Sequence, residues 1–426
     1  MLRWLVPGLG VKRWLALLLA GVTLAGIGLA YYLLDYYRTS ASSDLLALID
    51  VASLRFLPRL LRVVLFGGLG AGMILVGIWG LNRALLNPFV RPGARLVDQI
   101  ADHRRRERGP RVVSLGGGHG LATLLRGLKN HTYNLTAVVT VADDGGSSGV
   151  LRQNLGILPP GDIRNCLAAL SNDEALLAQL FQYRFSSDSG LGGHSFGNLF
   201  ITAMAEITGN FEEGVAESGR VLSVHGQVLP ATLHDVRLVA DVQVPNVVNQ
   251  LRVEGESSIP EMRGRVRRVY MEPDNPAAFP PVIQAILAAD MIVVGPGSLY
   301  TSLLPNLLVP DVLAAMRASK AMKAYVMNVA TQRGETSAYS CSDHIRVFEE
   351  HIGPDLFDVI VYNNHYEDTL PDGVEWVKLD EEAAMYPIYG ADVADMEHPW
   401  RHDSNKLANR LMDLLFERTG PLALGG

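Results

Sequence analysis

The chain has 426 residues, enough for one large domain or two smaller ones, and 48% of them are hydrophobic. Its formal net charge is −7, from 37 Lys and Arg against 44 Asp and Glu, which excludes a general attraction to nucleic acid. The two cysteines, Cys166 and Cys341, have no Cys or His partner at ligand spacing, so reduced thiols are favoured over a disulfide or a metal site.

Two long uncharged segments near the N-terminus predict a membrane hairpin in residues 1–90. Trp14–Leu34 is 21 residues without a charge, and as a helix it would span about 31 Å, enough to cross the hydrocarbon core of a bilayer. Val63–Leu81 is a second run, of 19 residues, with Gly68 and Gly72 at the spacing of close helix packing. A signal peptide is disfavoured because a second span follows and no clear cleavage site is present. We predict transmembrane helices at about 14–34 and 63–86.

The distribution of Lys and Arg predicts the orientation of this hairpin. Three precede the first span, four lie between the spans and eight follow the second, so the positive-inside rule places both ends in the cytoplasm. Ser43–Leu57, between the spans, fits an amphipathic helix on the outer face or a short cap. Residues 91–110 form a basic linker that suits anionic headgroups as well as a topology signal. The prediction is a multi-pass protein of the plasma (inner) membrane with a cytosolic domain at 111–426.

The cytosolic domain opens with a predicted strand, glycine turn and helix. Arg111–Leu115 is a mostly apolar run, and leucines at helical spacing follow the turn. Such a turn presents backbone N–H groups at the positive end of a helix, where phosphate binds. The dinucleotide-binding fingerprint is incomplete because Leu121 replaces its third glycine, so a turn without a ligand stays an alternative. The turn consists of Gly116, Gly117, Gly118, His119 and Gly120.

A second apolar strand, Leu135–Val141, ends in the polar sequence DDGGSSG at 143–149. At the carboxyl edge of a parallel sheet these groups would meet a ligand, and a solvated loop is the alternative. Asp162 is the expected N-cap of a helix that runs to Leu170. Arg164 in its first turn would pair with an anion or lie on the surface. The candidates in this part are Asp143, Asp144, Ser147, Ser148, Asp162, Arg164 and Asn165.

A glycine-rich loop and a β segment follow. The sequence GGHSFGN at 192–198, between two predicted helices, makes His194 and Asn198 candidates, although a lone histidine is more often structural. His194 and Ser195 lack the elbow of a nucleophile pair. From Gln227 to Met271 the pattern predicts a small β subdomain.

A second strand, glycine turn and helix are predicted from residue 290 onwards. The apolar strand Asp290–Val294 ends in GPGS at 295–298, which suits a second anion or a ribose. Lys323–Val329 is another strand and leads to TQRGET at 331–336. Strands alternate with helices, which predicts an α/β fold with a Rossmann-like, doubly wound, mostly parallel sheet. The candidates in this half are Gly295, Gly297, Ser298, Asn328, Glu335 and Thr336.

Seven motifs, in this order, resemble one family. The set is similar to the gluconeogenesis factor (YvcK-like) family, a sister of the 2-phospho-L-lactate transferases (CofD-like), over about residues 111–420. His119, Arg333 and Ser337 depart from the residues usual in that pattern, and the hairpin lies outside the resemblance. The motifs are GGGHG at 116–120, DDGGSSG at 143–149, PPGDIRN at 159–165, GHSFGNL at 193–199, GES at 255–257, GPGSLYTS at 295–302 and GET at 334–336.

The resemblance implies one of two functions. The gluconeogenesis-factor branch, which GPGSLYTS favours, binds UDP-sugars such as UDP-N-acetylglucosamine and is linked to cell-wall morphogenesis, cell shape and carbon metabolism. No reaction is settled for it. The transferase branch moves a phosphorylated group from a nucleotide diphosphate donor to a deazaflavin, with a divalent metal.

We therefore expect a membrane-tethered UDP-sugar-binding regulator, with a CofD-like transferase as the alternative. The first hypothesis requires neither catalysis nor a cofactor. The second requires Mg²⁺, with Asp144 as the preferred ligand and Asp143 as the alternate. A NAD-dependent oxidoreductase is weaker, because the fingerprint is incomplete. The expected partners are a nucleotide diphosphate ligand and the membrane, without nucleic acid, and the oligomeric state, a homo-oligomer included, stays open.

Overall fold

The computed structural model describes residues 104–171, 174–186, 190–244, 249–367 and 369–419, together with isolated positions between 19 and 72. All elements named below lie within the compact unit Arg106–Gly425. The predicted spans at about 14–34 and 63–86, and residues 91–103 of the predicted linker, fall outside the described residues apart from those isolated positions.

Within the described part of the chain, no single helix is both long and apolar enough to cross a bilayer. Two consecutive helical segments, Leu299–Leu307 and Pro310–Ala318, reach the length and apolar composition of a membrane span only when they are taken together. They are bent by 73° relative to each other. Leu303, Leu304 and Leu307 of this pair are at most 1% exposed and lie in the core of the α/β unit.

A seven-stranded parallel sheet forms the centre of this unit, in the order β10-β9-β8-β7-β1-β2-β3. From β1 the chain builds the sheet outward to β3, and from β7 it builds outward the other way to β10. The predicted α/β fold with a mostly parallel sheet is thereby confirmed. The strands are β1 Val112–Gly116, β2 Leu135–Val139, β3 Gln227–Pro230, β7 Met291–Val294, β8 Met322–Val326, β9 Val359–Asn363 and β10 Ile388–Ala391.

Helices surround the sheet and pack their apolar stripes on it. In the first of them, Leu121, Leu124, Leu125 and Leu128 recur at helical spacing, and all four are fully buried. A π-helical turn, Leu299–Leu303, follows β7. The α-helices are α1 Gly118–Leu128, α2 Gly146–Leu155, α3 Gly161–Leu170, α4 Glu174–Gln182, α5 Phe196–Thr208, α6 Phe211–Val221, α7 Ser258–Glu261, α8 Pro280–Ala288, α9 Leu304–Leu307, α10 Pro310–Ala318, α11 Cys341–Ile352 and α12 Ser404–Thr419.

The predicted β subdomain is a three-stranded antiparallel sheet in the order β5-β4-β6. Its strands are β4 Arg237–Gln243, β5 Leu251–Glu254 and β6 Arg265–Glu272. The subdomain begins later than the pattern suggested, because β3 pairs with β2 of the main sheet. Cys166 and Cys341 are buried and unpaired, as predicted.

Candidate functional site

The site lies where the chain reverses its direction of sheet building. β1 and β7 are neighbours in the sheet, and the chain leaves them toward opposite edges. Each of the two strands leads into its own predicted glycine turn, β1 into residues 116–120 and β7 into residues 295–298. In open α/β sheets the crevice at such a switch point is where ligands bind.

The first glycine turn needs three of its glycines for different reasons. A Cβ on Gly117 would lie 2.6 Å from Asp162 Oδ2, and one on Gly120 would collide with the carbonyl oxygen of Pro296. Gly118 has a φ of +62°, which favours glycine. The N-cap residue of α1 is Gly117, which has no side chain, so the His119 and Gly120 amides at this positive helix end have no acceptor on the N-cap residue's side chain.

The second glycine turn is held by amide and carboxylate side chains. Asn328 accepts from the Gly297 amide at 3.2 Å and donates to the Gly297 carbonyl at 2.8 Å. The Ser298 hydroxyl donates to Gln332 Oε1 at 2.8 Å. Behind it, buried Glu335 accepts from the Tyr300 amide at 3.2 Å and the Thr301 hydroxyl at 3.1 Å. The turn is therefore fixed before any ligand arrives.

A cleft of about 620 Å³ opens between the two turns. Its wall combines carboxyl groups, three arginines and one large aromatic ring, Trp400, whose exposed fraction is 37%. We call it the switch-point cleft. The predicted candidates that line it are Gly117, Gly118, His119, Gly120, Asp143, Asp162, Gly297, Ser298 and Asn328.

Burial raises the pKa of three carboxyl groups of the cleft. Burial, followed by the charge of Asp143, raises the pKa of Asp162 to about 6. Burial and the charges of Asp143 and Asp162 raise the pKa of Glu256 to about 8. Burial raises the pKa of Asp143 as well, although the Gly145 amide donates to its carboxylate at 2.9 Å. Near pH 7 the cluster therefore carries less negative charge than three carboxylates in water.

Asp162 is not the N-cap that the sequence predicted. Pro160 takes the N-cap position of α3, so Asp162 lies inside the first turn. Its carboxyl group instead faces Gly117 and accepts a hydrogen bond from the Gly118 amide. One amide of the first glycine turn is therefore already engaged.

The cleft also carries cationic side chains. Arg126, Arg333 and Arg401 all line it. Burial, followed by the charges of Arg401, Arg164 and Arg126, lowers the pKa of His119. His119 is thus neutral at physiological pH and can donate one hydrogen bond.

The remaining candidates of the first half form a buried polar network next to the cleft. Asn198 donates to the Ser147 hydroxyl at 3.1 Å and accepts from Arg164 Nη1 at 3.2 Å. Arg164 Nη1 also donates to Ser195 Oγ at 2.7 Å, and Ser147 Oγ lies 3.0 Å from His194 Nδ1. Ser148 completes the set through Asn198 at 3.5 Å, and Asn165 accepts from Arg164 Nη2 at 3.1 Å. We call these residues the rear network.

Four further candidates have supporting positions. Gly116 and Gly295 lie at the strand ends; the φ of Gly295 is +87°. Glu335 supports the second turn as described, and Thr336 Oγ1 accepts from the Gln332 amide at 2.9 Å. Burial raises the pKa of Glu335 to about 7.

Asp144 does not line the switch-point cleft. Its Oδ1 accepts from the Ser257 amide at 3.0 Å, and its other oxygen lies against Gly255. Asp144 thereby joins the DDGGSSG and GES motifs. No group of three or more His, Cys, Asp and Glu in the described ranges is arranged to hold a metal ion. Asp143 and Asp162 do both line the cleft, and two carboxylates with substrate phosphates are a usual Mg²⁺ ligand set.

Sequence reasoning missed several lining residues, Arg126 and Arg333 among them, and four others are instructive. Glu256 belongs to the GES motif but was not selected as a site residue. Trp400, Arg401 and His402 precede α12, in a segment without glycines or a recognised motif. His402 is a wall residue: it is buried against the Met327 carbonyl oxygen at 3.1 Å, and burial lowers its pKa to about 4. An aromatic–Arg pair between a strand and the last helix was the signal available for the other two.

Comparisons with known proteins show which family this chain is similar to. The family model described as 2-phospho-L-lactate transferase CofD matches residues 112–411. A relative from a Nostoc species is 51% identical over 374 residues, covering 84% of this chain and 78% of its own. The Bacillus subtilis protein named gluconeogenesis factor is 44% identical, over 72% of this chain and 99% of its own. A crystal structure of a UPF0052 family member from Bacillus halodurans, 42% identical, superposes with a TM-score of 0.65 over 71% of this chain and 98% of that one.

Proposed function

Because this chain belongs to the family of gluconeogenesis factors that is related to 2-phospho-L-lactate transferase CofD, we propose that it is a membrane-tethered regulator that binds a UDP-sugar reversibly. UDP-N-acetylglucosamine is the ligand we favour. The observation that carries the proposal is the convergence of two glycine turns and three arginines on one cleft at the switch point.

In this proposal the diphosphate lies between the two glycine turns. Asp162 engages the Gly118 amide at the start of α1, while the N-cap residue Gly117 has no side chain to engage the His119 and Gly120 amides, and a helix N-terminus favours an anion. Arg401 and Arg126 line the same cleft, and their charges act on His119, so they would supply charge-assisted hydrogen bonds to the diphosphate. The raised pKa values of Asp162 and Glu256 reduce the repulsion that carboxylates would exert on the anion.

The nucleoside or sugar end lies toward Ser298 and Trp400. The Ser298 hydroxyl and the Asn328 amide supply polar groups at the second turn. Trp400 is 37% exposed at the cleft wall and offers a ring face to a base. Stacking of a base on an aromatic side chain is worth about 1–3 kcal/mol.

Tethering and localisation are proposed from hydropathy and charge. The two uncharged segments suit a plasma-membrane hairpin. Arg and Lys are more numerous on its two flanks than in the loop between the segments, which suits residues 111–426 in the cytoplasm. The Nostoc relative aligns with 84% of this chain, a larger share than residues 111–426 alone could supply. A reporter fused after Gly426 should be active only in the cytoplasm, and activity on the exterior would contradict this topology.

The alternative, a transferase, is favoured by one observation: Asp143 and Asp162 both face the cleft. These two residues, rather than Asp144, would hold Mg²⁺, which would neutralise charge on a donor diphosphate when bound. His119, neutral and within the same cleft, would donate a hydrogen bond to the donor. The acceptor end would then lie near Trp400.

One experiment separates these two functions. The purified full chain in detergent is titrated calorimetrically with UDP-N-acetylglucosamine, GDP and NAD, each with and without Mg²⁺. The regulator hypothesis predicts micromolar binding of the UDP-sugar, on the order of −8 kcal/mol, and an intact ligand after prolonged incubation. Catalytic consumption of the donor with Mg²⁺ would favour the transferase, and selective binding of NAD would contradict both.

A further inference from the structure

A second cavity, of about 710 Å³, lies on the other side of the 333–336 turn. Arg263, Arg265 and Arg333 line it, while the buried residues Glu335 and Tyr339 contribute to its wall. We call this cavity the arginine bowl. It is separate from the switch-point cleft, although Arg333 lines both.

The backbone brings two segments of different elements together around the bowl. Arg263 and Arg265 follow α7, and Arg263 adopts a φ of +47°, uncommon for a residue with a side chain. Gly334 lies so close to the Pro260 carbonyl that a Cβ there would collide with it, and its own φ is +83°. The close approach of these segments brings Arg333 into the same cavity as Arg263 and Arg265.

The acidic groups at the bowl are already engaged. Asp343 pairs with Arg346 at 3.0 Å and accepts from the Ser340 amide, also at 3.0 Å, in the cap of α11. Glu335 accepts from the Thr301 hydroxyl at 3.1 Å and the Gln332 side chain at 3.2 Å. Three arginines thus face two engaged acidic residues in the bowl, on a chain whose net charge is −7.

The arginines keep donors for a ligand. Arg265 lies 6.0 Å from the centre of the Tyr339 ring, which orients its guanidinium without using its N–H groups. Arg333 Nε donates to the Gly373 carbonyl at 3.4 Å, which leaves its two terminal nitrogens. Guanidinium forks of this kind match phosphate oxygens in a bidentate way.

We propose that the arginine bowl is a second ligand site, which binds a small phosphate-bearing anion. The concave shape favours a small molecule over a nucleic acid, which would need an extended charged surface. Since Arg333 lines both cavities, the two sites share one of their cations. The proposal does not depend on what the switch-point cleft binds.

The test uses inorganic pyrophosphate as the probe and calorimetry of the full chain. Arg263 and Arg265 are replaced by Gln together. Arg268→Gln is the control, because Arg268 lies on β6 with Arg265 and is exposed but does not line the bowl. We expect the double variant to lose one pyrophosphate site, or at least tenfold of its affinity, while Arg268→Gln behaves as the unaltered chain. Circular dichroism checks that both variants are folded.

A second variant tests the same site by adding charge. Ser337 is exposed and lines the bowl, so Ser337→Asp should weaken pyrophosphate binding and Ser337→Ala should not. Equal pyrophosphate binding by R263Q/R265Q and R268Q would overturn the proposal. It would also be overturned if a single-stranded oligonucleotide, and not pyrophosphate, lost affinity in the double variant. Failure of UDP-sugar binding would leave these outcomes unchanged.

Discussion

The switch-point cleft and the rear network differ in what their side chains face, although sequence motifs select both as site residues. In the cleft, Arg401, Trp400 and His119 line open space. In the rear network, Asn198 and Arg164 spend their donors and acceptors on each other and on Ser147 and Ser195. Asn198 is only 2% exposed. In our proposal the cleft residues contact a ligand and the residues of the rear network hold the wall in place.

This contrast assigns two different kinds of effect. A charged group at an open cleft contributes chiefly to ligand affinity, since its removal leaves no buried partner behind. A buried group in a polar network contributes to folding, because its removal leaves partners without hydrogen bonds. Arg164 Nε already has no partner in the described structure, so the rear network has little tolerance for a further loss.

The largest effect on binding is expected at Arg401. Arg401→Ala removes a cation of the cleft, and the loss of a charge-assisted hydrogen bond should weaken UDP-N-acetylglucosamine binding roughly 10- to 150-fold. The free energy of unfolding should change by no more than about 0.5 kcal/mol relative to the unaltered chain, because the Arg401 side chain is exposed. Calorimetry and a thermal melt measure the two quantities.

The matched control is Arg410→Ala. Arg410 is an exposed arginine on α12 whose partner, Asp413, lies 3.6 Å away and outside the cleft. The Arg410→Ala variant should bind UDP-N-acetylglucosamine with the affinity of the unaltered chain. Equal affinity of the two variants would show that Arg401 does not contact the ligand. It would also contradict the assignment of ligand affinity to the cleft residues.

The rear network should respond in the opposite manner. Asn198→Ala deprives Arg164, Ser147 and Ser148 of a partner, so the free energy of unfolding should fall by about 1–3 kcal/mol. Ligand affinity of the folded protein should change by less than about threefold, since Asn198 does not line the cleft. Urea unfolding followed by circular dichroism gives the first quantity. A variant of full stability that lost binding would show that the network contacts the ligand.

The sequence foretold the sheet and the two glycine turns because both depend on local pattern. Buried β-branched strands such as β1 and β7, followed by glycines, define the switch point without tertiary information. It could not tell that Asp144 turns toward Ser257, because DDGGSSG contains two adjacent carboxylates whose directions depend on where the β subdomain returns. Trp400 and Arg401 reach the cleft across long sequence separation, so no local motif marks them.

Acidity should strengthen binding to the cleft. The pKa values of Glu256 at about 8, Glu335 at about 7 and Asp162 at about 6 are raised, so these groups become neutral as the pH falls. An anionic ligand favours the neutral forms, and by linkage its affinity should increase severalfold between pH 8 and pH 6. Burial and the neighbouring arginines lower the pKa of His119, which shifts its protonation toward more acidic pH. Calorimetry across this range measures the trend.

The raised pKa values also affect the free energy of unfolding, which, like the ligand affinity, should increase as the pH falls. A carboxyl whose folded pKa lies above its unfolded value contributes stability that is present at low pH and lost as pH rises through the folded pKa. For Asp162 this window runs from about 4 to about 6. Asp162→Asn should flatten both profiles at their acidic ends. An unchanged pH profile of ligand affinity in Asp162→Asn would show that this residue lies away from the bound anion.

The smallest effect is expected for Asp144→Asn, and it sharpens the boundary between the cleft and its surroundings. Asp144 accepts from the Ser257 amide at 3.0 Å and does not line the cleft. Asparagine keeps an acceptor oxygen at that position, so stability should change by no more than about 1 kcal/mol and UDP-sugar affinity by less than about twofold. Asp143→Asn, its neighbour in the cleft wall, is the comparison and should alter affinity more. If Asp144 were instead a metal ligand of a transferase, its substitution would abolish Mg²⁺-dependent turnover of the donor. Product analysis after incubation with UDP-sugar and Mg²⁺ therefore decides whether Asp144 joins two motifs or takes part in chemistry.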